Sequence, residues 1–502
     1  MLLSKQTLNA IRSHENIELP SIEYFSLPEK VLQFGTGVLL RGLPDYFIDK
    51  ANKQGIFNGR IVVVKSTTTG SADEFSKQDN LYTLCVKGID KEQLIEENIV
   101  NAAISRVLSA ASEWEKILDC AIDPNIEIVI SNTTEVGLDL VKESILQHPP
   151  SSFPAKLLAV LFKRYQHFRG DPEKGMIIIP TELIPDNGKK LLGVLKELCV
   201  FNNLDSIFID WLEKQNHFCS SLVDRIVPGK LPAEKHKKAE QEFGYEDDLM
   251  IMSELYRLWA IEASDKKVYD KLSFAKADEG VIIAPDIFVF RELKLRLLNG
   301  AHTYSCGLAY LAGFNLVRDA MQDENFSKYI SRLMQQEIVP AIVGNDISKK
   351  TAIDFSNKVL DRFRNPYIDH AWLSITLQYS SKMRMRNLSS LLKYYQVNNT
   401  VPECMALGFA AHILFMKSKK NENGKYEGSA GGKNYTINDD RAKVYSEQWK
   451  DKSMRDVIHF ILSDTEFWGV DLTTLPGFEN AINENLEIII KQGAKEAIHR
   501  LV

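Results

Sequence analysis

Lys294, Asn299 and His302 are the residues of this 502-residue chain whose types and spacing best suit chemistry. They lie in Arg291-Glu-Leu-Lys294-Leu-Arg-Leu-Leu-Asn299-Gly300-Ala-His302. Wound as an α-helix, with Lys294 at 0°, the segment puts His302 at about 80° and Asn299 at about 140°, on one broad face. Oxidising a secondary alcohol needs a base for the hydroxyl proton while hydride leaves the carbon. A lysine in a desolvated pocket can take that proton, and return it in the reductive direction. Asparagine is a neutral donor for a developing alkoxide oxygen, and a histidine beside them can fix the geometry. Asn-Gly inside a helical pattern costs about 1 kcal/mol or more of helix propensity, and close approach of a substrate is a reason to carry it. The same spacing also fits an amphipathic helix with a surface lysine, an Asn-Gly C-cap and a core histidine. Spacing alone leaves both open.

A second segment bears on a cofactor. Val31-Leu-Gln-Phe34-Gly35-Thr36-Gly37-Val38-Leu39-Leu-Arg41 reads as a strand, a glycine turn and a helix start. Gly35 can take the turn, and Gly37 lets backbone N–H groups approach a pyrophosphate at the positive end of the helix. The third glycine of a G-x-G-x-x-G fingerprint is replaced by Leu40. Arg41 is expected to supply positive charge near the phosphates. The next strand, Arg60–Lys65, ends in Lys65 and a run of hydroxyl residues, not in the acidic residue that accepts from ribose hydroxyls. That chemistry leaves a 2′-phosphate, and so NADP, open.

These segments need elements to position them. Val31–Phe34, Arg60–Lys65, Ile126–Ser131 and Met176–Pro180 read as strands, rich in Val and Ile. Helical patterns lie between them at Leu39–Asn52, Ala102–Leu118 and Pro154–Phe168. Alternation of this kind implies βαβ units and a mainly parallel sheet. From Ile287 onward helical periodicity dominates, through Phe326–Ile342, Ala352–Phe363, His370–Tyr379, Met405–Met416 and Ser453–Leu462. The fold class expected is therefore α/β: a doubly wound sheet domain over residues 1–285 and a mainly helical domain over 286–502. Lys417–Asn438, packed with Lys, Asn and Gly, reads as a long surface loop.

Composition excludes several classes. With 61 Lys and Arg against 67 Asp and Glu, the net charge of −6 opposes a broad nucleic-acid surface. Six cysteines, none in a C-x-x-C pair, suit reduced thiols in a cytoplasmic protein without a bound metal. No apolar stretch approaches the roughly 18 residues of a membrane span.

Lys294, Asn299 and His302 also match the K-x-x-x-x-N-x-x-H signature of the mannitol dehydrogenase family of polyol-specific long-chain dehydrogenases, which the chain resembles over nearly its whole length. The resemblance runs through the G-x-G turn with Arg41, Gln78–Thr83, Val223-Asp224-Arg225-Ile226-Val227-Pro228 and Arg362-Phe363-Arg364-Asn365-Pro366. It implies an N-terminal Rossmann domain, a helical C-terminal domain, NAD as cofactor and no catalytic metal. Lys294 is then the general acid/base, Asn299 an oxyanion donor and His302 an assistant. Within the family the uronate-handling branch fits best, carried by Ser131-Asn132-Thr133-Thr134-Glu135-Val136-Gly137, Phe153–Leu157 and Arg362–Tyr367. By that resemblance Phe34, Gly35, Thr36, Gly37, Val38, Leu39, Arg41, Lys65 and Asn132 line the cofactor, and Asp224, Arg225, Arg364 and Lys382 the substrate. Polyol members tend to carry a small residue in place of Arg364. An arginine there can hold a carboxylate by two parallel charge-assisted bonds, and Lys382 is its expected helper. Where polyol members place an oxyanion-binding Asn, this chain has Leu183, with Glu182 beside it. A ketouronate, its epimer or a neutral polyol are the substrates left in play, with a non-catalytic nucleotide-sensing protein as the other class.

Overall fold

A computed structural model describes residues 1–11, 16–66 and 73–502 of the chain. The chain folds as two compact units, residues 1–88 with 94–287 and residues 89–93 with 288–502.

In the first unit, four apolar runs form the centre of a sheet: β1 (Glu29–Phe34), β2 (Arg60–Lys65), β6 (Ile128–Ser131) and β7 (Ile177–Pro180). With β5 (Ile104–Ser109) and β8 (His217–Phe218) they make six parallel strands in the order β5-β2-β1-β6-β7-β8. Renumbered within the sheet this is 3-2-1-4-5-6, the Rossmann order, in which the strand order reverses between β1 and β6. Alternate side chains enter opposite cores. Val31, Ile61, Val63, Ile128 and Ile130 face one side, and Leu32, Phe34, Val62, Val64 and Val129 the other. Burial on both faces is why these strands read as continuous Val/Ile runs. The helices α1 (Val38–Gly42) and α2 (Pro44–Lys53) cover the first face, and α3 (Phe153–His167) and α4 (Asn187–Phe201) the second.

Two departures from the sequence pattern occur here. The helical stretch expected over Leu39–Asn52 breaks at Leu43, which has φ −135° and ψ −77°, and restarts with Pro44 at its first position. The helix expected over Ala102–Leu118 is instead the edge strand β5 followed by a turn, and only Trp114–Cys120 is helical. Two three-stranded sheets complete the unit. One joins β3 (Tyr82–Asp90), β4 (Gln93–Asn101) and β10 (Ile251–Glu254), and the other β9 (Ser221–Asp224), β11 (Leu258–Glu262) and β12 (Val281–Ala284).

The second unit is helical, with one exception. Lys417–Asn438 is not a loop: β13 (Lys419–Lys420), β14 (Tyr426–Ala430) and β15 (Lys433–Ile437) pair into an antiparallel sheet. Tyr435 anchors it. Its ring stacks on Phe415 at 4.5 Å, and its hydroxyl donates to the Phe415 carbonyl at 2.8 Å. The helices used below are α5 (Phe288–Leu293), α6 (Ala301–Leu311), α7 (Lys349–Arg364), α8 (Tyr379–Lys382) and α9 (Glu403–Phe415). Three π-helical turns interrupt the bundle, at Lys294–Gly300, Leu333–Ile338 and Met383–Asn387.

Candidate functional site

In the first unit, the β1 turn has the shape a dinucleotide requires. Gly35 has φ +127°, and a Cβ there would stand 2.9 Å from Leu40 Cδ1 and 3.2 Å from the Asn132 carbonyl. Leu40 thus fills the floor of the turn at the position where the fingerprint has its third glycine. The turn is held on both sides of the sheet's reversal point. Gly35 N–H donates to Val64 O at 3.0 Å, and Asn132 N–H to Phe34 O at 3.2 Å. Nothing lies within 4 Å of the place a Cβ on Gly37 would occupy, so the backbone of Thr36, Gly37, Val38 and Leu39 has open space beside it. An open backbone at a helix start, outside the carboxyl ends of the strands, fits a pyrophosphate. Phe34 is buried against Phe153, with ring centroids 5.1 Å apart. Lys65 closes β2, largely buried, and its carbonyl accepts from Ala110 N at 2.9 Å. Thr67, Thr68 and Thr69 of the hydroxyl run lie outside the described residues.

Two expectations in this unit, for Arg41 and Arg225, are corrected by burial. Arg41 turns inward, its guanidinium over the Phe75 and Tyr82 rings, and donates to Leu249 O at 2.7 Å. Its charge therefore serves the packing of α1, not a phosphate. Arg225 likewise donates to the carbonyls of Gly42 at 2.6 Å and Glu254 at 2.9 Å over the Tyr46 ring, and burial brings its pKa down to about 10. Asp224, next to it, is buried at the end of β9. Glu182, beside Leu183, turns its carboxylate to the Ser131–Thr133 loop. It is buried and accepts from Thr133 N at 2.9 Å, Thr133 Oγ1 at 3.1 Å and Ser131 Oγ at 3.2 Å, which fixes the loop that carries Asn132. Leu183 is 62% exposed.

In the second unit, Lys294 and Asn299 lie on a π-helical turn, and His302 on the first turn of α6. The α-helical angles expected from spacing therefore change. An i→i+5 turn brings Asn299 over Lys294 more closely than α winding would. Tertiary contacts hold the turn open. Arg296 donates to the carbonyls of Met385 at 3.1 Å and Arg386 at 2.7 Å, joining it to the π-turn Met383–Asn387. A Cβ on Gly300 would stand 3.1 Å from Asn387 Oδ1. Gly300 is thus explained by this approach of protein, not of substrate. Arg386 in turn donates to Thr303 Oγ1 at 3.2 Å, and Thr303 to the Asn299 carbonyl at 2.7 Å.

His302 is buried, stacked on Phe363 at 4.0 Å, with His370 and Trp372 edge-on at 5.1 and 5.7 Å. Burial, then the charges of His370, Arg362 and Arg386, push its pKa well below the ordinary range, so the imidazole is neutral. Its Nδ1 has no hydrogen-bond partner. The pKa of His370 falls for the same reasons, burial first and then Arg362 and Lys382. Burial and Arg386 lower that of Lys382. The charges of Arg362 and Arg386 thus act on His302, and those of Arg362 and Lys382 on His370.

Arg364 is not among them. It donates to Ser327 Oγ at 3.3 Å, stands 3.9 Å from Asp361, and lines a surface cavity with Lys328 and Arg332. Residues two apart on a helix point about 200° away from each other. With Phe363 stacked on His302, Arg362 and Arg364 flank that contact on opposite sides. Arg362, His370 and Arg386 were therefore missed in the sequence. The available signal was Phe363, whose aromatic ring marks the inward side of α7. Among the described residues, no group of three His, Cys, Asp or Glu is arranged to hold a metal ion, and no helix is long and apolar enough to cross a membrane.

Comparison with known proteins agrees with this architecture. Residues 29–272 match a family model described as the mannitol dehydrogenase Rossmann domain, and residues 286–490 one described as the mannitol dehydrogenase C-terminal domain. The altronate oxidoreductase of Yersinia enterocolitica is 35% identical over 482 residues, covering 94% of this chain and 97% of its own. That of Bacillus subtilis is 34% identical over 482 residues, covering 95% and 96%. Among solved structures, a Pseudomonas fluorescens mannitol 2-dehydrogenase in complex with NAD and D-mannitol aligns with a TM-score of 0.69 at 22% identity, over 100% of this chain and 99% of that one. A D-sorbitol dehydrogenase in substrate-free form aligns with a TM-score of 0.76 at 20% identity, over 99% and 100%. The strand order, the glycine turn, the Lys294–His302 segment and these full-length matches agree: the chain belongs to the mannitol dehydrogenase family.

Proposed function

We propose that the chain is an NAD-dependent oxidoreductase that interconverts D-tagaturonate and D-altronate. The observation that carries this reading is the cation set about the paired imidazoles of His302 and His370: Arg386, which donates to Thr303 beside His302, Arg362, next to the Phe363 ring that stacks on His302, and Lys382, whose charge acts on His370. A neutral polyol needs no such field, whereas a sugar acid brings a carboxylate that charge-assisted hydrogen bonds from these cations would hold. The relatives named altronate oxidoreductase support the same substrate class. Bound at the β1 turn, NADH supplies the hydride.

Lys294 delivers the proton to the keto oxygen in reduction and takes it back in oxidation. Asn299, drawn over Lys294 by the π-turn, donates to the oxygen as negative charge develops on it. His302, neutral and locked between Phe363 and His370, adds no charge that would compete for the proton. The stack of Phe363 on His302 and the burial of α6 keep that imidazole out of water.

The test is NADH oxidation against tagaturonate, fructuronate and fructose, repeated with NADPH. Tagaturonate should turn over fastest, with NADH preferred. Lys294→Ala should lower kcat by about 10²–10⁴ while NADH binding persists. Arg386→Met should raise KM for the ketouronate by about 10- to 100-fold, the worth of one charged hydrogen bond, and leave that for fructose within a few fold. Equal losses on both substrates would sink the carboxylate reading.

A further inference from the structure

We infer that Asp439 is a positioning residue: from the end of the β13–β15 sheet it fixes the start of α8, and through it the placement of Lys382 and Arg386. This rests on the carboxylate reading above. The helix α8 begins at Gln378, whose φ is +52° and whose side chain does not cap it. The cap comes from 59 residues away, because Asp439 Oδ2 accepts from Ser380 N–H at 2.7 Å while Oδ1 accepts from Arg441 N–H at 2.8 Å. A reciprocal pair flanks this bond. Gln378 N–H donates to Asn438 O at 2.8 Å, its amide donates to Asp440 Oδ1 at 3.0 Å, and Asp440 N–H donates back to Gln378 Oε1 at 3.3 Å.

From that anchored start the chain runs directly into the site. Lys382 N–H donates to Gln378 O at 3.0 Å, closing the first turn of the helix, and Lys382 Nζ donates to Ile375 O at 2.9 Å. Tyr379 reaches the other way. Its hydroxyl accepts from Gly307 N–H of α6 at 3.2 Å, at a place where a Cβ on Gly307 would stand 2.9 Å from the ring. The turn that carries Lys382 is therefore clamped between the His302 helix and the small sheet. The turn opens a helical run that continues through the π-turn Met383–Asn387 to Val397, and the amides of such a first turn have no acceptor within the helix. Asp439 is also the carboxylate whose charge offsets burial and Arg386 at Lys382.

Asp439→Ala removes cap and charge, whereas Asp439→Asn keeps one acceptor oxygen and drops the charge. Steady-state kinetics on the ketouronate should show KM raised about 10-fold or more in Asp439→Ala and less in Asp439→Asn, with kcat and NADH affinity within about two-fold of wild type. Amide exchange at Ser380–Lys382 should quicken by about 10-fold or more in Asp439→Ala, while α6 keeps its protection. An unchanged KM with unchanged exchange would overturn the proposal. So would Asp439→Asn lowering KM or matching Asp439→Ala, since charge alone would then be at work, and so would parallel loss of kcat and NADH binding. A wild-type protein that reduces no ketouronate would sink the carboxylate reading separately, and exchange at Ser380–Lys382 would still decide whether Asp439 fixes the turn.

Discussion

At the scale of single residues, burial decides which charges are available for function. Arg41, Arg225 and Arg364 have the right chemistry for phosphate or carboxylate, yet Arg41 and Arg225 are buried on backbone carbonyls and Arg364 turns to Ser327 at a surface cavity. Arg362, Lys382 and Arg386 instead act on the imidazoles of His302 and His370, where burial and their charge keep both rings neutral. Asp45 shows the opposite balance. It is fully buried in α2, one of its oxygens has no partner, and burial raises its pKa from 3.8 to about 8. A carboxyl raised in this way contributes stability below its unfolded pKa and loses it as pH climbs through the folded value. Asp45→Asn should therefore gain on wild type between pH 4 and 9, by on the order of 1–3 kcal/mol at the upper end, read by denaturant unfolding at fixed pH. A constant difference across that range would contradict the buried, protonated state.

At the scale of elements, Glu337 joins two helices. It lies on the π-turn Leu333–Ile338 and accepts from Cys404 N–H at 2.7 Å and Met405 N–H at 2.9 Å, capping α9 from outside. Glu337→Ala should destabilise the protein by about 1–3 kcal/mol and lower its Tm, because two buried donors lose their acceptor. Burial raises the Glu337 pKa from 4.5 to about 7, so wild type should lose ground to Glu337→Gln as pH rises through that interval. Which elements were legible in the sequence follows from similar physics. Strands β1, β2, β6 and β7 are buried on both faces and announce themselves as Val/Ile runs. The edge strand β5 buries only Ile104 and Leu108, so its Ala-Ile-Ser-Arg-Val pattern passes for a helix. In β13–β15 only Gly428, Tyr435 and Ile437 are buried, and the Lys and Asn between them read as loop. The Lys294 turn was legible by residue type but not by winding. Its i→i+5 bonds depend on Arg296 finding carbonyls 89 and 90 residues away.

At the scale of the whole molecule, the chemistry divides between the units. The dinucleotide turn belongs to the first and Lys294, Asn299 and His302 to the second. All six thiols are buried. Burial carries the pKa of Cys85, Cys199, Cys219 and Cys306 to about 12 and that of Cys120 to about 11, and raises that of Cys404 well above 9. A thiol-disulfide reagent at pH 7 should therefore label the native protein at least about 100-fold more slowly than the unfolded chain, in which all six react. A fast-reacting native thiol would show a loosened core. The π-turn at Lys294–Gly300 has one more consequence, for the length of the chain. Considered as a screw thread, the turn carries one residue beyond what α pitch can hold and takes it up in a single wide turn, so the thread on either side keeps its phase. Deleting Leu295 would let the thread close at α pitch with α6 in place: His302 would stay on the Phe363 ring and Tyr379 in the notch at Gly307. A deletion inside α6 itself has no such slack to take up and would rotate everything after it by about 100°. One codon is spare in the turn, and none is spare in the helix that follows it.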